Sequence, residues 1–286
     1  MPNIDLHMHS IYSDGTYTPA ELVAFAKQKG LSALSLTDHD TIEGLEEARV
    51  CCKKEGILFI NGIEINSFFI LNSKRVNIHV LGYCFDPEAL KPYTEKLKKL
   101  RYEHNAAIRK ALEKLGIEIN DSDLGILSDM STITRLNFAK ALVEKGYAET
   151  VKEALAKYLH KEGSAYVEYN TPPFSTVAQV IRNAGGIVSL AHPAEYKLEN
   201  ADTEYMINSM IQEGLDAIEC IHPSQNTEYS RMLMDIAVKK NLFQTGGSDF
   251  HGSIGNGIEL GRGGDGMTIP KSYLRNLHSN FNCIDT

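Results

Sequence analysis

Seven short apolar segments with polar ends constrain the fold of this chain more than any other feature. Each is rich in branched residues and has the length of a buried strand. They lie at residues 3–7, 31–37, 57–65, 75–82, 186–191, 215–221 and 242–246. Because helical patterns separate most of them, we expect parallel strand pairing in an α/β fold, either a barrel or a doubly wound sheet.

The helical patterns carry the signals that begin and end helices. They cover residues 19–29, 41–55, 175–183, 203–213 and 227–240. Thr18 is the expected N-cap of the first helix, and Glu21 completes a capping box with it. Gly30 and Gly56 follow the first two helices, where a left-handed residue commonly ends a helix.

The alternation of strands and helices is interrupted once, between residues 86 and 171. This stretch has no convincing strand pattern and instead predicts helices over residues 88–115, 132–145 and 150–160. Pro172 and Pro173 precede the point where the alternation resumes. We therefore expect residues 86–171 to be a helical insertion into a unit formed by residues 1–85 and 172–286.

The composition disfavours several classes of protein. Lys and Arg number 29 against 37 Asp and Glu, the net charge is −8, and no run of Lys or Arg exceeds two residues, which disfavours a DNA-binding surface. No run of about 18 apolar residues occurs, so no membrane span is expected. The first residues lack the basic and apolar regions of a secretory signal. Together with five cysteines that form no CxxC pair, this predicts a cytoplasmic protein with reduced thiols.

A histidine or a carboxylate residue stands at or near the end of every predicted strand. These residues are His7, His9, Asp38, His39, Asp40, Glu64, His79, His192, His222, Asp249 and His251. A barrel places the carboxyl ends of its strands at one rim, so we expect these side chains to converge there. Imidazole and carboxylate ligands suit Zn, Mn or Fe, and a site with this many ligands can hold more than one ion.

A single histidine has a simpler interpretation. Taken alone, His79 or His192 is more often a hydrogen-bonded core residue than a ligand, and Glu64 fits one half of an ion pair. Strand-end clusters on all seven strands of one chain favour the metal site over these alternatives. The remaining histidines lie on predicted surface helices, where solvation is the preferred interpretation: His104, His160 and His278.

Four motifs in chain order resemble those of the polymerase and histidinol phosphatase (PHP) family. They are DLHMHS at residues 5–10, TDHD at 37–40, AHP at 191–193 and GSDFH at 247–251. The resemblance extends over nearly the whole chain. It implies a distorted (β/α)7 barrel, similar to a TIM barrel, with residues 86–171 as a helical insertion that caps the active site. It also implies two or three divalent ions, Mn, Fe or Zn, at the strand ends and the hydrolysis of phosphoesters.

The resemblance also implies which residues hold the ions. The three sets are His7, His9, Glu64 and Asp249; Glu64, His79 and His192; and Asp14, His39 and His251. Asp14 lies in a Ser-Asp-Gly sequence that is also good turn chemistry, and it is included because the neighbouring motifs match. Asp38 and Asp40 flank His39 and are expected to orient its imidazole; ordinary loop carboxylates are the alternative.

The insertion resembles that of the TrpH-like branch of the family, in which an arginine near the start of an insertion helix faces the phosphate. Arg135 occupies that position, and its planar guanidinium suits bidentate phosphate binding; an exposed helix charge is the alternative. The next residues are Leu136 and Asn137 rather than the Pro-His of the branch, which predicts an altered substrate contact. His222 matches a branch position where a histidine binds phosphate or donates a proton to the leaving group; a strand-end histidine next to Pro223 is the alternative.

The implied function is that of a metal-dependent phosphoesterase that uses a metal-activated water, with Asp249, His222 and Arg135 as catalytic residues. The expected partner is a small phosphorylated substrate, such as a nucleoside 3′,5′-bisphosphate, or short 5′-phosphorylated RNA. The acidic net charge favours the small molecule. We expect neither DNA nor a membrane as a partner, and the sequence predicts no oligomeric state.

Three alternatives remain. Histidinol phosphate is another substrate in the family, which the helical insertion disfavours. A noncatalytic, metal-stabilised module would have lost ligands, whereas every ligand position is filled here. An amidohydrolase-like enzyme acting on C–N bonds would often have a carbamylated lysine at a strand end, and no lysine stands at a predicted strand end.

Overall fold

The computed structural model describes residues 3–124, 130, 133–252 and 257–274. In this part of the chain the seven predicted segments form seven strands, which confirms the prediction. They are β1 (Ile4–Asp5), β2 (Ala33–Leu36), β3 (Leu58–Leu71), β4 (Lys74–Tyr83), β5 (Ile187–Leu190), β6 (Ala217–Ile221) and β7 (Phe243–Gly246). The strands form one sheet in chain order.

The sheet is mixed rather than entirely parallel. The pairs β1–β2, β2–β3, β5–β6 and β6–β7 are parallel, but β4 is antiparallel to both β3 and β5. The expectation of parallel pairing is wrong for β4, because only Asn72 and Ser73 separate it from β3 and a parallel neighbour needs a crossover of about a dozen residues or more. Both turn residues have positive φ, 48° and 63°, as a type I′ hairpin turn requires.

The two edges of the sheet meet beyond β1 and β7. The amide of Leu6 donates to the carbonyl of Gly246 at 3.2 Å, and the amide of Asp249 donates to the carbonyl of His7 at 2.8 Å. These bonds nearly close the sheet into the expected TIM-barrel-like α/β barrel. Closure also brings the segment after β1 next to the segment after β7, which carry the first and the last of the sequence motifs.

The described residues contain eight α-helices. They are α1 (Pro19–Gln28), α2 (Leu45–Glu55), α3 (Pro87–Glu113), α4 (Arg135–Glu144), α5 (Val151–Ala154), α6 (Phe174–Asn183), α7 (Asn200–Gln212) and α8 (Thr227–Lys240). The predicted capping box is present at α1, where the amide of Glu21 donates to Thr18 Oγ1 at 3.2 Å and the amide of Thr18 donates to Glu21 Oε2 at 2.8 Å. α2 begins later than predicted, at Leu45, because Gly44 is its N-cap.

The chain divides into two compact units, one formed by Met1–Tyr93 with Pro172–Thr286 and the other by Thr94–Thr171. The second unit has its own apolar core, which includes Ile108, Leu112, Phe138, Leu142 and Leu159. The helix predicted over residues 150–160 consists of α5 and a π-helical turn at Leu155–Leu159. That this unit caps the active site stays a prediction.

Membrane-spanning helices are absent from the described residues, since none of their helices is both long and apolar enough. Cys51, Cys52 and Cys220 are free thiols. Cys84 is disulfide-bonded, so the expectation of reduced thiols is wrong for this residue. His278 and Cys283 lie outside the described residues.

The two other histidines that were expected to be solvated differ from each other. His160 is exposed, as expected. His104 is half-buried: its Nε2 lies 3.1 Å from the carbonyl of Val167, and its ring stacks on Tyr169 with 4.6 Å between the centroids. Solvation is therefore the wrong interpretation for His104, because α3 packs against the segment that carries Val167 and Tyr169.

Candidate metal centre

The segment after β1 points two imidazoles in the same direction. One residue separates His7 from His9, so in extended backbone their side chains lie on one face, and both are completely buried. The Nε2 atoms of His7 and His9 lie 3.2 and 2.9 Å from Asp249 Oδ1. Each also lies 3.2 Å from Glu64 Oε2. Side chains from three distant parts of the chain therefore converge on one point.

Glu64 lies at the centre of the cluster and is only 1% exposed. Its Oε2 is 3.2 Å from His39 Nδ1 as well as from the two histidines that follow β1. Its Oε1 is 2.8 Å from His79 Nδ1 and 2.9 Å from His192 Nε2. A carboxylate has two oxygens that accept or coordinate, so Glu64 can contribute to two neighbouring cation sites at once.

His79 reaches this cluster by a different route from the one expected. It lies within β4 opposite Asn66 of β3, not at the carboxyl end of its strand. Because β4 is antiparallel, its residues 74–79 lie beside residues 66–71, in the carboxyl-terminal half of β3. The expectation that the side chains converge at the carboxyl ends of the strands therefore identified His79 as part of the cluster, although the predicted direction of β4 was wrong.

Asp14 forms a second group with three imidazoles. Its Oδ1 lies 3.1 Å from His251 Nε2 and 3.7 Å from His9 Nδ1, and its Oδ2 lies 3.8 Å from His39 Nε2. The turn expected from the Ser-Asp-Gly sequence is also present, since the amide of Gly15 donates to the carbonyl of Ser10 at 3.0 Å. A Cβ atom on Gly15 would overlap the carbonyl of His9, so glycine allows this turn to fold closely against the histidine. The turn and the ligand interpretations of Asp14 are thus compatible.

The chemistry of these side chains fits divalent cations. Among the described residues, four groups have one ligand-type atom per residue, all within 4.8 Å of one another: His7, His9, Glu64 and Asp249; His9, Asp14, His39 and His251; His39, Glu64 and His79; and His7, Glu219 and His222. Several buried atoms in these groups have no hydrogen-bond partner among the described residues: His7 Nε2, His9 Nε2, Asp14 Oδ1, His39 Nδ1 and Asp249 Oδ1. Buried polar atoms are normally hydrogen-bonded, and imidazole and carboxylate atoms of this kind are ligands for Zn, Mn or Fe.

In the absence of cations, the pKa values of the buried imidazoles also indicate a site for positive charge. Burial alone would lower the pKa of His7 and His9, but the carboxylates of Glu64 and Asp249 outweigh it. They raise the pKa of His9 to about 10 and that of His7 well above its ordinary value. For His39 burial dominates and lowers the pKa to about 3. Two imidazoles therefore hold protons beside the carboxylates, whereas a metal ligand must be neutral imidazole.

We expect metal binding to release these protons, so that affinity for Mn²⁺ rises with pH across the neutral range. Calorimetric titration of metal-free protein with Mn²⁺ at pH 7, in two buffers with different ionisation enthalpies, measures the release. The observed heats should differ between the buffers, and the exposed His160→Gln variant should behave like the wild type. Equal heats in both buffers would contradict this account of His7 and His9.

Two buried carboxylates outside these groups, those of Asp5 and Asp38, accept hydrogen bonds that fix the backbone segments around the cluster. Asp5 accepts hydrogen bonds from the amide and hydroxyl of Ser248 at 3.0 and 2.6 Å, which fixes the segment before Asp249. Asp38 accepts from the amide and hydroxyl of Ser10, both at 2.7 Å. The expectation that Asp38 orients His39 is therefore wrong, because its oxygens face the segment after β1.

Asp40, the other carboxylate beside His39, accepts from the amide and side chain of Asn66, both at 3.0 Å. The backbone of the cluster is also unusual. Asp40, His192 and Asp249 have positive φ of 58°, 23° and 51°, and strain of this kind is typical of functional sites. Of these three residues, His192 and Asp249 have side chains that reach the cluster.

Glu219, which was not predicted as a site residue, lies in β6 and is completely buried. Its Oε1 is 3.0 Å from His7 Nδ1, and its Oε2 accepts from the amide of His192 at 2.7 Å. A charged residue inside an apolar strand pattern was the signal that could have found it, since Glu is almost never fully buried unless it is paired.

His222 lies at the edge of the cluster and is 2% exposed. Its Nε2 is 3.5 Å from Asp249 Oδ2 and has no hydrogen-bond partner in the described part of the chain. Its Nδ1 accepts from the amide of Ser224 at 3.1 Å. Because an amide can only donate, the neutral imidazole carries its proton on Nε2, facing Asp249.

Arg135 belongs to the other compact unit, Thr94–Thr171, where it is the exposed first residue of α4. Thr134 is the N-cap of this helix, and Asn137 Oδ1 accepts from the Thr134 amide at 3.0 Å. The departure from Pro-His at Leu136 and Asn137 thus has a local role, because Asn137 completes the capping box of α4.

Known proteins share both the sequence and the architecture. The PHP domain model matches residues 5–172. A 5′-3′ exoribonuclease of Haemophilus influenzae is 35% identical over 90% of this chain and 93% of its own length. A 3′,5′-nucleoside bisphosphate phosphatase of Chromobacterium violaceum is 30% identical over 98% of each chain. The crystal structure of a protein from Bifidobacterium adolescentis, described as a metal-dependent phosphoesterase, has a TM-score of 0.81 at 28% identity over 98% of this chain and 96% of its own.

Proposed function

The chain belongs to the PHP domain family and is a metal-dependent phosphoester hydrolase, and we propose that it removes phosphate from nucleoside 3′,5′-bisphosphates or from the 5′ end of short RNA. The convergence of imidazoles and carboxylates around Glu64 supports the proposal most strongly. Of the two relatives named above, one is a 3′,5′-nucleoside bisphosphate phosphatase and the other a 5′-3′ exoribonuclease, which acts on RNA. The net charge of −8 favours the small nucleotide over long RNA.

We propose that two or three ions bind the sets His7, His9, Glu64 and Asp249; Glu64, His79 and His192; and Asp14, His39 and His251. Mn, Fe and Zn all suit these ligands. When bound, such ions lower the pKa of water and stabilise charge on phosphoryl oxygens. Supporting this arrangement, Glu64 lies within 2.8–3.2 Å of five imidazoles from several strands. Asp249 lies within 2.9–3.6 Å of His7, His9 and His251.

The protein's own groups perform the remaining steps of the proposed mechanism. Asp249 Oδ1 lies 3.2 and 2.9 Å from the Nε2 atoms of His7 and His9, so the three side chains are directed to one point where they would hold an ion together. In its imidazolium form, with Ser224 Oγ 2.8 Å from Nδ1 as the acceptor for the second N–H, His222 would donate its Nε2 proton to the leaving oxygen as the phosphoester bond breaks and would become neutral imidazole. Arg135, from the proposed capping insertion of residues 86–171, would bind the phosphate through its planar fork.

A substrate panel tests the proposed function. Mn²⁺-loaded protein would be assayed for phosphate release from a nucleoside 3′,5′-bisphosphate, a short 5′-phosphorylated RNA and histidinol phosphate, with Asp249→Asn as the blank. We expect release from one or both nucleotide classes and little from histidinol phosphate. Preferential hydrolysis of histidinol phosphate would contradict the substrate assignment. Absence of release from every substrate, with metal confirmed bound, would favour a noncatalytic module.

The cytoplasmic location and the absence of DNA and membrane partners stay predictions from sequence.

Arg135→Lys tests the proposed phosphate contact, because lysine keeps the charge but loses the bidentate geometry. A hydrogen bond to a charged group contributes roughly 1.5–3 kcal/mol, so kcat/KM should fall by about 10- to 100-fold. Steady-state kinetics on the best nucleotide substrate measure the change. Arg109→Lys is the matched control, since Arg109 pairs with Asp121 in the same unit. Equal kcat/KM in both variants would show that Arg135 does not contact substrate.

A further inference from the structure

We propose that Glu219 is a positioning residue that sets two ligands belonging to different ion sets, so that one buried carboxylate couples the assembly of both. The inference rests on the proposed metal centre. It concerns a residue outside the three ligand sets, and it follows from three contacts of its side chain and backbone.

The first contact fixes the orientation of His7. Glu219 Oε1 lies 3.0 Å from His7 Nδ1, and both side chains are completely buried. A carboxylate only accepts hydrogen bonds, so Nδ1 of His7 must be the donor. The neutral imidazole then presents the lone pair of Nε2, which is the atom that lies 3.2 Å from both Glu64 and Asp249. An outer partner of this type fixes the tautomer and the ring orientation of a ligating histidine.

The second contact fixes the backbone of His192. Glu219 Oε2 accepts from the His192 amide at 2.7 Å. His192 has φ of 23° and ψ of 62°, a conformation that costs free energy and persists only where its surroundings impose it. This backbone directs His192 Nε2 to within 2.9 Å of Glu64 Oε1. The two oxygens of Glu219 therefore hold His7 of one ion set and His192 of another.

A third hydrogen bond, from Gln225, and a bulge in β6 determine where the Glu219 carboxylate lies. β6 pairs with β7 at Glu219 opposite Thr245 and at Ile221 opposite Gly246, so the register shifts by one residue between them. Residues three apart in a regular strand point to opposite faces, yet Glu219, His222 and His7 have ligand-type atoms within 4.8 Å of one another. The bulge accounts for this, because an extra residue re-aims the side chains that follow it. The side chain of Gln225 donates to the Glu219 carbonyl at 3.2 Å and holds this segment.

Glu219→Gln separates positioning from packing, because glutamine has nearly the same size and shape. The His192 amide needs an acceptor, which directs the glutamine oxygen to it and the glutamine NH₂ to His7 Nδ1. His7 then has to accept at Nδ1 and carries its proton on Nε2, where a metal would bind. The variant therefore keeps both hydrogen bonds but selects the wrong tautomer.

Calorimetric titration of metal-free protein with Mn²⁺, together with the metal content of the dialysed protein, tests the proposal. Glu219→Gln should lower the affinity for Mn²⁺ by roughly 10- to 100-fold and leave fewer ions per chain, with an unfolding transition like that of the metal-free wild type. Glu195→Gln is the matched control, because this carboxylate lies 3.6 Å from His192 Nδ1 but is 48% exposed. It should bind Mn²⁺ like the wild type.

Glu219→Asp is the second variant if glutamine prevents folding. Aspartate keeps the charge but is too short to reach both partners, so we expect an intermediate loss of affinity. Wild-type affinity and metal content in a folded Glu219 variant would overturn the positioning role while leaving the proposed function intact. A wild-type protein that binds no Mn²⁺ would overturn both.

Discussion

Asp249→Asn should nearly eliminate phosphate release while the barrel remains folded. Asp249 Oδ1 lies 2.9 Å from His9 Nε2 and 3.2 Å from His7 Nε2, so the variant replaces a proposed anionic ligand by a neutral amide. Losing an outer partner of a ligand already costs roughly 10- to 100-fold, and losing a ligand itself should lower turnover by more than about 100-fold. Phosphate release from the best nucleotide substrate, at saturating Mn²⁺, measures the effect.

The control for Asp249→Asn makes the same chemical change at a different place. Asp235→Asn replaces an exposed carboxylate on α8 and should leave turnover unchanged. Circular dichroism on both variants checks the fold. Turnover in folded Asp249→Asn within a few fold of wild type would remove Asp249 from the proposed ligand set.

His222→Gln should lower kcat much more for a nucleotide than for p-nitrophenyl phosphate. As an imidazolium, His222 has Nδ1–H beside Ser224 Oγ and Nε2–H beside Asp249, so it can give up the Nε2 proton and become neutral imidazole. Loss of a general acid typically costs about 10²- to 10⁴-fold. A nucleotide leaves as an alkoxide that needs this proton, whereas p-nitrophenolate leaves without it. The ratio of the two kcat changes therefore reports proton donation.

His160→Gln is the matched control for His222, since His160 is an exposed histidine, and it should change neither kcat. The alternative role of His222 is to bind the phosphate. That role predicts equal losses on both substrates, expressed mainly in KM. Equal losses would therefore contradict proton donation by His222 and favour the binding role.

The parts of the fold that sequence predicted well depend on local patterns. Each strand was visible as a short apolar run, and the α1 cap was visible as Thr18 and Glu21. The spacing of His7 and His9 placed both imidazoles on one face before any pairing was known. These features need only the backbone geometry of a few neighbouring residues.

The parts that sequence missed depend on tertiary pairing. The antiparallel direction of β4 follows from the two-residue turn at Asn72 and Ser73, which has positive φ but no glycine to mark it. Glu219 was overlooked because its partners, His7 and His192, are remote in sequence. Asn137 was interpreted as a substrate-related departure, whereas the structure gives it a role in capping α4.

The central claim is that cations held around Glu64 are required for hydrolysis. The direct test titrates Mn²⁺ into metal-free protein and measures, on the same samples, the ions bound per chain and the rate of phosphate release from a nucleoside 3′,5′-bisphosphate. The account predicts no turnover without metal and a rate that rises as the sites fill. Full turnover in protein shown to contain no metal would contradict it.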